Sequence, residues 1–461
     1  MLKRDFLRLL SLMLLGYSGG AGCAEKEDVN AMPQTKKRIV VIGAGLAGLA
    51  AARELQQHGH EVVVVEARER IGGRIWTSHQ WRDMPLDLGA TWIHGVKGNP
   101  LTALADTIQA TRLNTRYERS MTYNSQGKPL SDAEEKHLDA LRDSVSSALE
   151  KAQDKNADAT IRQVIEPLLR RHDTSSEAYR LINFILSGEI EQEYAGSADK
   201  LSAHWYDSAK AFKGGDVLFA QGFEVMTRFL ASKLHIELNQ VVEAIHWQQA
   251  QPSPVRVVTQ KTEYVADAVV VTLPLGVLKA GRVRFTPALP AAKRDAIAKL
   301  DMGVLNKCYL RFQEAFWPAE VDWLEYVAPK HGEWTEWVSF KRAAKMPILL
   351  GFNAADRGRA IESWTDQQII ASAMQTLRAI YGANIPDPID YQITRWATDP
   401  FALGAYSYTP LGATPHTRTV LAAALDNQVF FAGEASDKNY FGTAHGAYLS
   451  GLRAAEEILQ A

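Results

Sequence analysis

Arg38-Ile39-Val40-Val41-Ile42-Gly43-Ala44-Gly45-Leu46-Ala47-Gly48 is the stretch on which the fold turns. After its leading arginine the apolar run Ile39 to Ile42 reads as a strand buried on both faces of a parallel sheet. Gly43, Gly45 and Gly48 follow in GxGxxG spacing, Leu46 to Gln57 has helical composition, and Glu61 to Val65 is a second strand ending at Glu66. Strand, glycine turn, helix, strand and acid in this order predict a Rossmann-like dinucleotide site within an α/β fold. The glycines, with Ala47 beside them, let the backbone turn tightly and approach a pyrophosphate, whose charge meets the helix N-terminus. Glu66 lies about twenty residues beyond the turn, where an acid accepts hydrogen bonds from ribose hydroxyls. These residues leave NAD and FAD both open.

Working outward, 461 residues suffice for a large core and two interleaved domains. Apolar residues at 46% and charged residues at 23% are ordinary for a soluble globular protein. A formal charge of −2 argues against nucleic acid as a partner. No metal-ligating cluster is read. Of the two cysteines, Cys23 lies near the N-terminus, and Cys308 sits in the apolar run Val304 to Phe312, where it reads as a small buried hydrophobe.

Residues 1–24 combine a basic start, a short apolar stretch Leu9 to Leu15 and small residues around Cys23, the pattern of a signal peptide. The apolar stretch falls short of the roughly 20 residues that span a bilayer. Lys3-Arg4-Asp5-Phe6-Leu7-Arg8 resembles the twin-arginine export motif with Lys3 in place of the first arginine, which implies passage of a folded protein through the twin-arginine machinery. Gly20-Ala21-Gly22-Cys23 partly resembles a lipoprotein box, so a lipid anchor at Cys23 and cleavage after Ala24 are alternatives. A periplasmic, secreted or membrane-attached protein is expected, with residues 25–36 as a linker.

Beyond the first turn, Glu66-Ala67-Arg68-Glu69-Arg70-Ile71-Gly72-Gly73-Arg74 resembles an extension found in flavin amine oxidases. Asp87-Leu88-Gly89-Ala90-Thr91-Trp92-Ile93-His94-Gly95, Val270 to Leu278, and Phe430-Phe431-Ala432-Gly433-Glu434 with Tyr440 to Ala447 extend the likeness. Over nearly the whole chain after the leader, the sequence is similar to polyamine oxidases and to the oxidase domain of lysine-specific histone demethylases. The resemblance implies FAD, with Arg68, Gly73 and Arg74 along its pyrophosphate and ribityl chain. It places Gly89, Ala90, Thr91 and Trp92 beside the flavin ring, Val242 against adenine, Trp396 in the segment leading to the flavin and Glu434, after Gly433, on the ribityl hydroxyls. The N-terminus of the last helix, at Thr443, would aim at the pyrimidine of the ring.

For catalysis the likeness points to Lys307, in the otherwise apolar Leu305-Asn306-Lys307-Cys308-Tyr309-Leu310, as the holder of a water at flavin N5. A lysine inside such a run is costly to bury. A solvent-facing lysine on an alternating strand is the other reading. His94 is the candidate for contacting an amine, Tyr406 for an aromatic wall, and Thr443 stands where many relatives carry a second aromatic ring. Ala405 occupies the position of the flavin-linked cysteine of monoamine oxidases, which implies noncovalent FAD. Glu189, Glu191 and Glu193 are candidates for binding charged nitrogens, against the reading of a solvated acidic face.

Cofactor segments fall at residues 37–98, 217–284 and 395–461, with an α+β substrate-binding domain expected from 99–216 and 285–394. Ala133 to Gln153, Glu177 to Leu186 and Gln367 to Tyr381 read as helices, and Lys307 to Phe312 as a strand. The implied reaction takes a hydride from the carbon beside a neutral amine nitrogen to flavin N5; the imine is hydrolysed and dioxygen becomes hydrogen peroxide. Oxidation of a monoamine or amino acid, a dehydrogenase with another electron acceptor, and a surface binding protein keeping FAD as structure are the alternatives. A histone demethylase fits poorly, because of the leader and because no long helical insertion interrupts the chain.

Overall fold

In the computed structural model, Arg38–Ile42 is the middle strand of a five-stranded parallel sheet. The order is Val429–Phe431, Ala268–Val271, Arg38–Ile42, Glu61–Val65 and His235–Glu237. The structure describes residues 36–155, 157–247 and 254–461. The expected leader, with its Cys23 and Ala24 alternatives, and all but the last residue of the linker lie outside the described residues.

The unbroken apolar run has a direct cause in this arrangement, because both faces of the sheet are covered. Ile39, Val41, Val64 and Val270 share a core with helices Leu46–Gln57 and Ala444–Gln460. Val40, Ile42, Val269 and Val271 face the other way, toward a four-stranded sheet of Glu263–Ala266, Val255–Thr259, Val242–His246 and Arg284–Thr286. Small residues let the two helices meet closely: a Cβ on Gly451 would lie 2.2 Å from the Ala47 carbonyl oxygen.

A second, six-stranded sheet runs Asp390–Ile393, Leu305–Arg311, Ile348–Ala354, Glu336–Ser339, Trp323–Tyr326 and Ser120–Tyr123. Its pairs are antiparallel except the last, which is parallel. Lys307 stands opposite Phe352 on a strand paired along both edges and is 5% exposed, which rules out the solvent-facing reading. A small antiparallel sheet of Trp92–Ile93, Asp216–Phe219 and Arg112–Thr115 lies beside the segment that carries His94.

The long helix expected near Ala133 spans Asp132–Gln153 and starts with a capping box between Ser131 and Glu134. Asp366–Tyr381 likewise begins one residue before the expected start. The helix expected from Glu177 to Leu186 behaves differently: its α-helical part ends at Phe184, and the chain continues as a π-helix over Ile185–Glu191. Side-chain periodicity does not announce the wider turn.

Gly43 has φ of +103°, in the left-handed region that favours glycine. Gly48 serves another purpose. A Cβ there would lie 1.9 Å from the Gly43 carbonyl oxygen, so this glycine lets the helix seat against the turn. It is not among the residues lining the cavity, which corrects the expectation that it touches the cofactor. Gly48→Ala is expected to destabilise the protein by about 1–3 kcal/mol through overpacking, measured by denaturant unfolding; an unchanged midpoint would show that the turn relaxes freely.

Candidate active site

A cavity of about 710 Å³ runs from the glycine turn to strand Leu305–Arg311 and the π-helix. Gly43, Gly45, Ala47, Glu66, Arg68 and Gly73 line its nucleotide end, with Val242 across from them. Helix Leu46–Gln57 opens at Gly45 without a side-chain cap and without an acid in its first turn. Its first N–H groups and the positive end of its dipole are therefore available to an anion. This cradle fits the FAD pyrophosphate.

Glu66 does two jobs at that end. One oxygen accepts the Ala44 N–H at 2.7 Å and the other the Arg68 N–H at 2.9 Å, fixing the turn. Each oxygen keeps a further lone pair, the capacity that ribose hydroxyls would use. Burial raises its carboxyl above the ordinary range despite those two donors. Arg68 is engaged with protein: its two terminal nitrogens meet Asp399 at 2.9 and 2.6 Å, and its guanidinium lies 5.3 Å from the Phe401 ring centre.

Midway along the cavity, Arg74 donates to Glu434 at 2.8 Å and to the Ala405 carbonyl at 2.9 Å. Glu434 also accepts the Ser407 hydroxyl at 2.6 Å and the Gly442 N–H at 3.0 Å. Burial alone raises the Glu434 carboxyl, yet Arg74, Ser407 and Arg418 together hold it below the usual carboxylate range. Arg418 is completely buried, donates to Ser407 at 2.7 Å and sits 3.9 Å from the Phe441 ring centre; burial lowers its pKa to about 10, so it stays charged at neutral pH. Glu434, expected to hold ribityl hydroxyls, is thus mainly a clamp for its own surroundings, lining the cavity beside Gly433.

At the reacting end Gly89, Ala90, Thr91 and Trp92 line the wall together with Lys307. The Lys307 amine bonds the Asp87 carbonyl at 2.8 Å, the Gly89 carbonyl at 2.7 Å and the Thr91 hydroxyl. Burial pushes Lys307 well below the ordinary lysine value, and nearby Asp87 only partly opposes this. Trp396 lines the cavity and donates its indole N–H to the Leu88 carbonyl at 3.1 Å. Tyr406 lines it too, donating its hydroxyl to the Gln192 carbonyl at 2.8 Å. Thr443 caps the last helix: its oxygen accepts the Gly446 N–H at 2.9 Å and donates to the Tyr440 carbonyl at 2.6 Å. Ala405 offers no nucleophile, and Cys308, the one cysteine among the described residues, is buried away from the lining, in keeping with noncovalent FAD.

His94 lines the cavity with its Nδ1 2.9 Å from Asp216, which also accepts the Gly95 N–H at 2.9 Å. In the neutral ring this bond assigns the proton to Nδ1 and leaves Nε2 as the acceptor nitrogen. Glu189 and Glu193, four residues apart on one helical face, both line the cavity, and Glu189 pairs with Arg142 at 2.7 Å. Glu191 does not. It faces away, accepting the Ala198 N–H at 2.9 Å and meeting His331 at 2.7 Å, which corrects its expected place among the substrate-binding acids. Three acids spaced two apart cannot share a helical face.

Sequence reasoning missed the lining acids Asp207, Asp216 and Glu336. For Glu336 a signal existed, since it sits on a fully buried strand, as Lys307 sits in the buried middle of its own. Also missed was the aromatic stack beside them, in which Trp323 lies 4.2 Å from Tyr117 and 6.0 Å from Trp92, centre to centre.

Comparison with known proteins accords with this geometry. The family model for flavin containing amine oxidoreductases matches residues 46–459. Probable polyamine oxidase 4 of Arabidopsis thaliana is 34% identical over 91% of this chain and 86% of its own length. Lysine-specific histone demethylase 1 homolog 3 of Oryza sativa subsp. indica is also 34% identical, over 95% of this chain but only 56% of its own length. Putrescine oxidase bound to putrescine superposes with a TM-score of 0.75, covering 92% of this chain and 99% of that one, at 19% identity, and so shares the fold. With the match running from the start of helix Leu46–Gln57 into the last helix, the chain belongs to the flavin containing amine oxidoreductases and is an FAD-dependent amine oxidase.

Proposed function

We propose that this enzyme oxidises a polyamine, namely spermine, spermidine or an acetylated derivative. The observation that carries the reading is the set of carboxylates on the substrate side of the cavity: Glu189, Glu193, Asp207, Asp216 and Glu336. An alkyl chain with several ammonium groups is the small molecule that such acids, interleaved with aromatic faces, complement best. The names of similar proteins, polyamine oxidases among them, point the same way.

Bound FAD supplies a two-electron acceptor. The amine nitrogen beside the reacting carbon must first be neutral; the substrate then loses a hydride from carbon and a proton from nitrogen to become an imine. Water adds to the imine and releases an aldehyde and a shortened amine, while dioxygen takes two electrons and two protons to become hydrogen peroxide. The chain's own contribution is positional: Tyr406 and Trp92 flank the reacting end, Lys307 stands on its wall, and the distal acids keep the remaining nitrogens charged and fix the register of the chain. Because the reacting nitrogen must shed its proton, rates are expected to fall as pH drops.

The expected leader extends the proposal to location. Its basic start, short apolar stretch and small-residue end support action outside the cytoplasm, with twin-arginine export of the FAD-loaded protein and either Cys23 lipidation or cleavage after Ala24. Residues 1–24 fused to a folded reporter should carry it out of the cytoplasm, and retention of the reporter would refute export.

For the substrate, peroxide release from the purified yellow protein should be fastest with spermine, spermidine or acetylated polyamines and much slower with tyramine or amino acids. A preference for amino acids, or flavin reduction without peroxide under air, would overturn the reading. Glu193→Gln is expected to raise KM for the polyamine by about tenfold, equivalent to about 1.4 kcal/mol, with little effect on a monoamine. Lys307→Met should keep its colour yet slow flavin reduction or reoxidation by roughly 10²-fold in stopped flow; unchanged rates would remove Lys307 from the chemistry.

A further inference from the structure

Three protein oxygens lie within hydrogen-bonding reach of the Lys307 amine: the carbonyls of Asp87 and Gly89 at 2.8 and 2.7 Å, and the Thr91 hydroxyl. These partners are not equivalent. A carbonyl only accepts, so the first two require N–H from lysine in any state. A neutral amine has two hydrogens for them and then presents a lone pair in the third direction; an ammonium presents a third hydrogen there. Of the three partners only the hydroxyl can satisfy both.

The surroundings give Thr91 a second place for its own hydrogen. The Gly89 carbonyl lies 3.2 Å from Thr91 Oγ1, so the hydroxyl can accept from an ammonium while donating to Gly89, or turn and donate to the lone pair of the neutral amine. Thr91 is buried and lines the cavity beside Lys307. The other groups around the amine are committed. The Asp87 carboxylate accepts the Thr77 hydroxyl at 2.6 Å and the Phe223 N–H at 2.9 Å, with Glu224 acting on it from beyond. The Tyr309 phenol donates to the Asp87 carbonyl at 2.8 Å and also reaches Thr91, and the Trp92 and Tyr309 ring centres lie 5.6 and 5.9 Å from the amine.

We propose that Thr91 is a positioning residue that sets the protonation of Lys307, reversing its hydrogen bond so that the amine stays in place while it gains or loses a proton. The effect on turnover rests on the amine oxidase reading above, whereas the effect on Lys307 does not. Burial and the proximity of Asp87 place Lys307 where either state is within reach. A hydrogen bond from an ammonium is about twice as strong as one from a neutral amine. Losing the hydroxyl therefore penalises the ammonium more and should move the Lys307 midpoint down by about one pH unit.

The test uses the FAD-loaded enzyme without amine, its lysines labelled with carbon-13 at Cε, and follows the Lys307 signal, identified by its loss in Lys307→Met, as a function of pH. Thr91→Val should titrate about one pH unit below the wild type, and Thr91→Ser, which keeps the hydroxyl, at the wild-type midpoint. Should the valine variant not fold, Thr91→Ala replaces it with the same expected shift. Flavin reduction by substrate should show its pH profile displaced in the same sense in Thr91→Val and restored in Thr91→Ser. A wild-type midpoint without the hydroxyl, or a serine variant shifted as far as the valine one, overturns the proposal. If no amine reduces the flavin, the function reading fails, yet the Lys307 titration still decides the role of Thr91.

Discussion

The half-buried pair of Arg74 and Glu434 joins segments 360 residues apart and brings the two ends of the chain to one cavity. A pair of charges removed from water is rarely stabilising by Coulomb attraction alone. Here further hydrogen bonds surround the pair: Ser407 and Gly442 donate to the carboxylate, the Ala405 carbonyl accepts from Arg74, and Arg418 holds Ser407. The pair therefore fixes four segments at once. The glycine-rich turn provides an anion cradle, but that cradle faces the rest of the cavity only because residues 405–407 and 433–442 are pinned opposite residue 74.

What the sequence made legible follows from how locally each feature is encoded. The glycine turn, its flanking strands and Glu66 fall within thirty residues or so and obey strict periodicities, so their reading survives into the structure. The lysine in an apolar strand was legible for a thermodynamic reason, because a buried charge in such a run calls for a compensating site. The site itself was not legible. It consists mainly of the backbone carbonyls of Asp87 and Gly89, and a carbonyl is the same in every residue.

The acids illustrate the opposite failure. Glu189, Glu191 and Glu193 look equivalent as a cluster, yet helical geometry turns the middle one to His331 while its neighbours face the cavity. Asp216 and Glu336 reach the same cavity from strands far away in sequence, one on the small sheet and one on the six-stranded sheet. Only the strand topology brings them together. Gly48 was misread for a related reason: a glycine needed by the packing of a helix and one needed by a ligand leave the same letter in the sequence.

The relative placement of the acids, the aromatic wall and the lysine strand comes down to one junction of backbone. Beyond the π-helix the short helix Gln192–Tyr194 ends at Ala195, which has φ of +57°. A helix end leaves carbonyls without partners, and here two are taken: Tyr406 donates its hydroxyl to Gln192, and the Val304 N–H donates to Ala195 at 3.0 Å. Gly303, next to Val304, exchanges backbone hydrogen bonds with Tyr406 and Ala405, both at 2.8 Å. A side chain on Gly303 would lie 2.5 Å from the Ala195 carbonyl oxygen, so the three segments meet only because this residue is bare. Four residues farther on stands Lys307. The distance from the carboxylates that would hold the far end of a polyamine to the lysine at the reacting end is thus set by backbone hydrogen bonds, which flex less than side chains. If the substrate is the proposed polyamine, a cavity built this way would measure the spacing of its charges, and that spacing would decide which carbon reaches the reacting end.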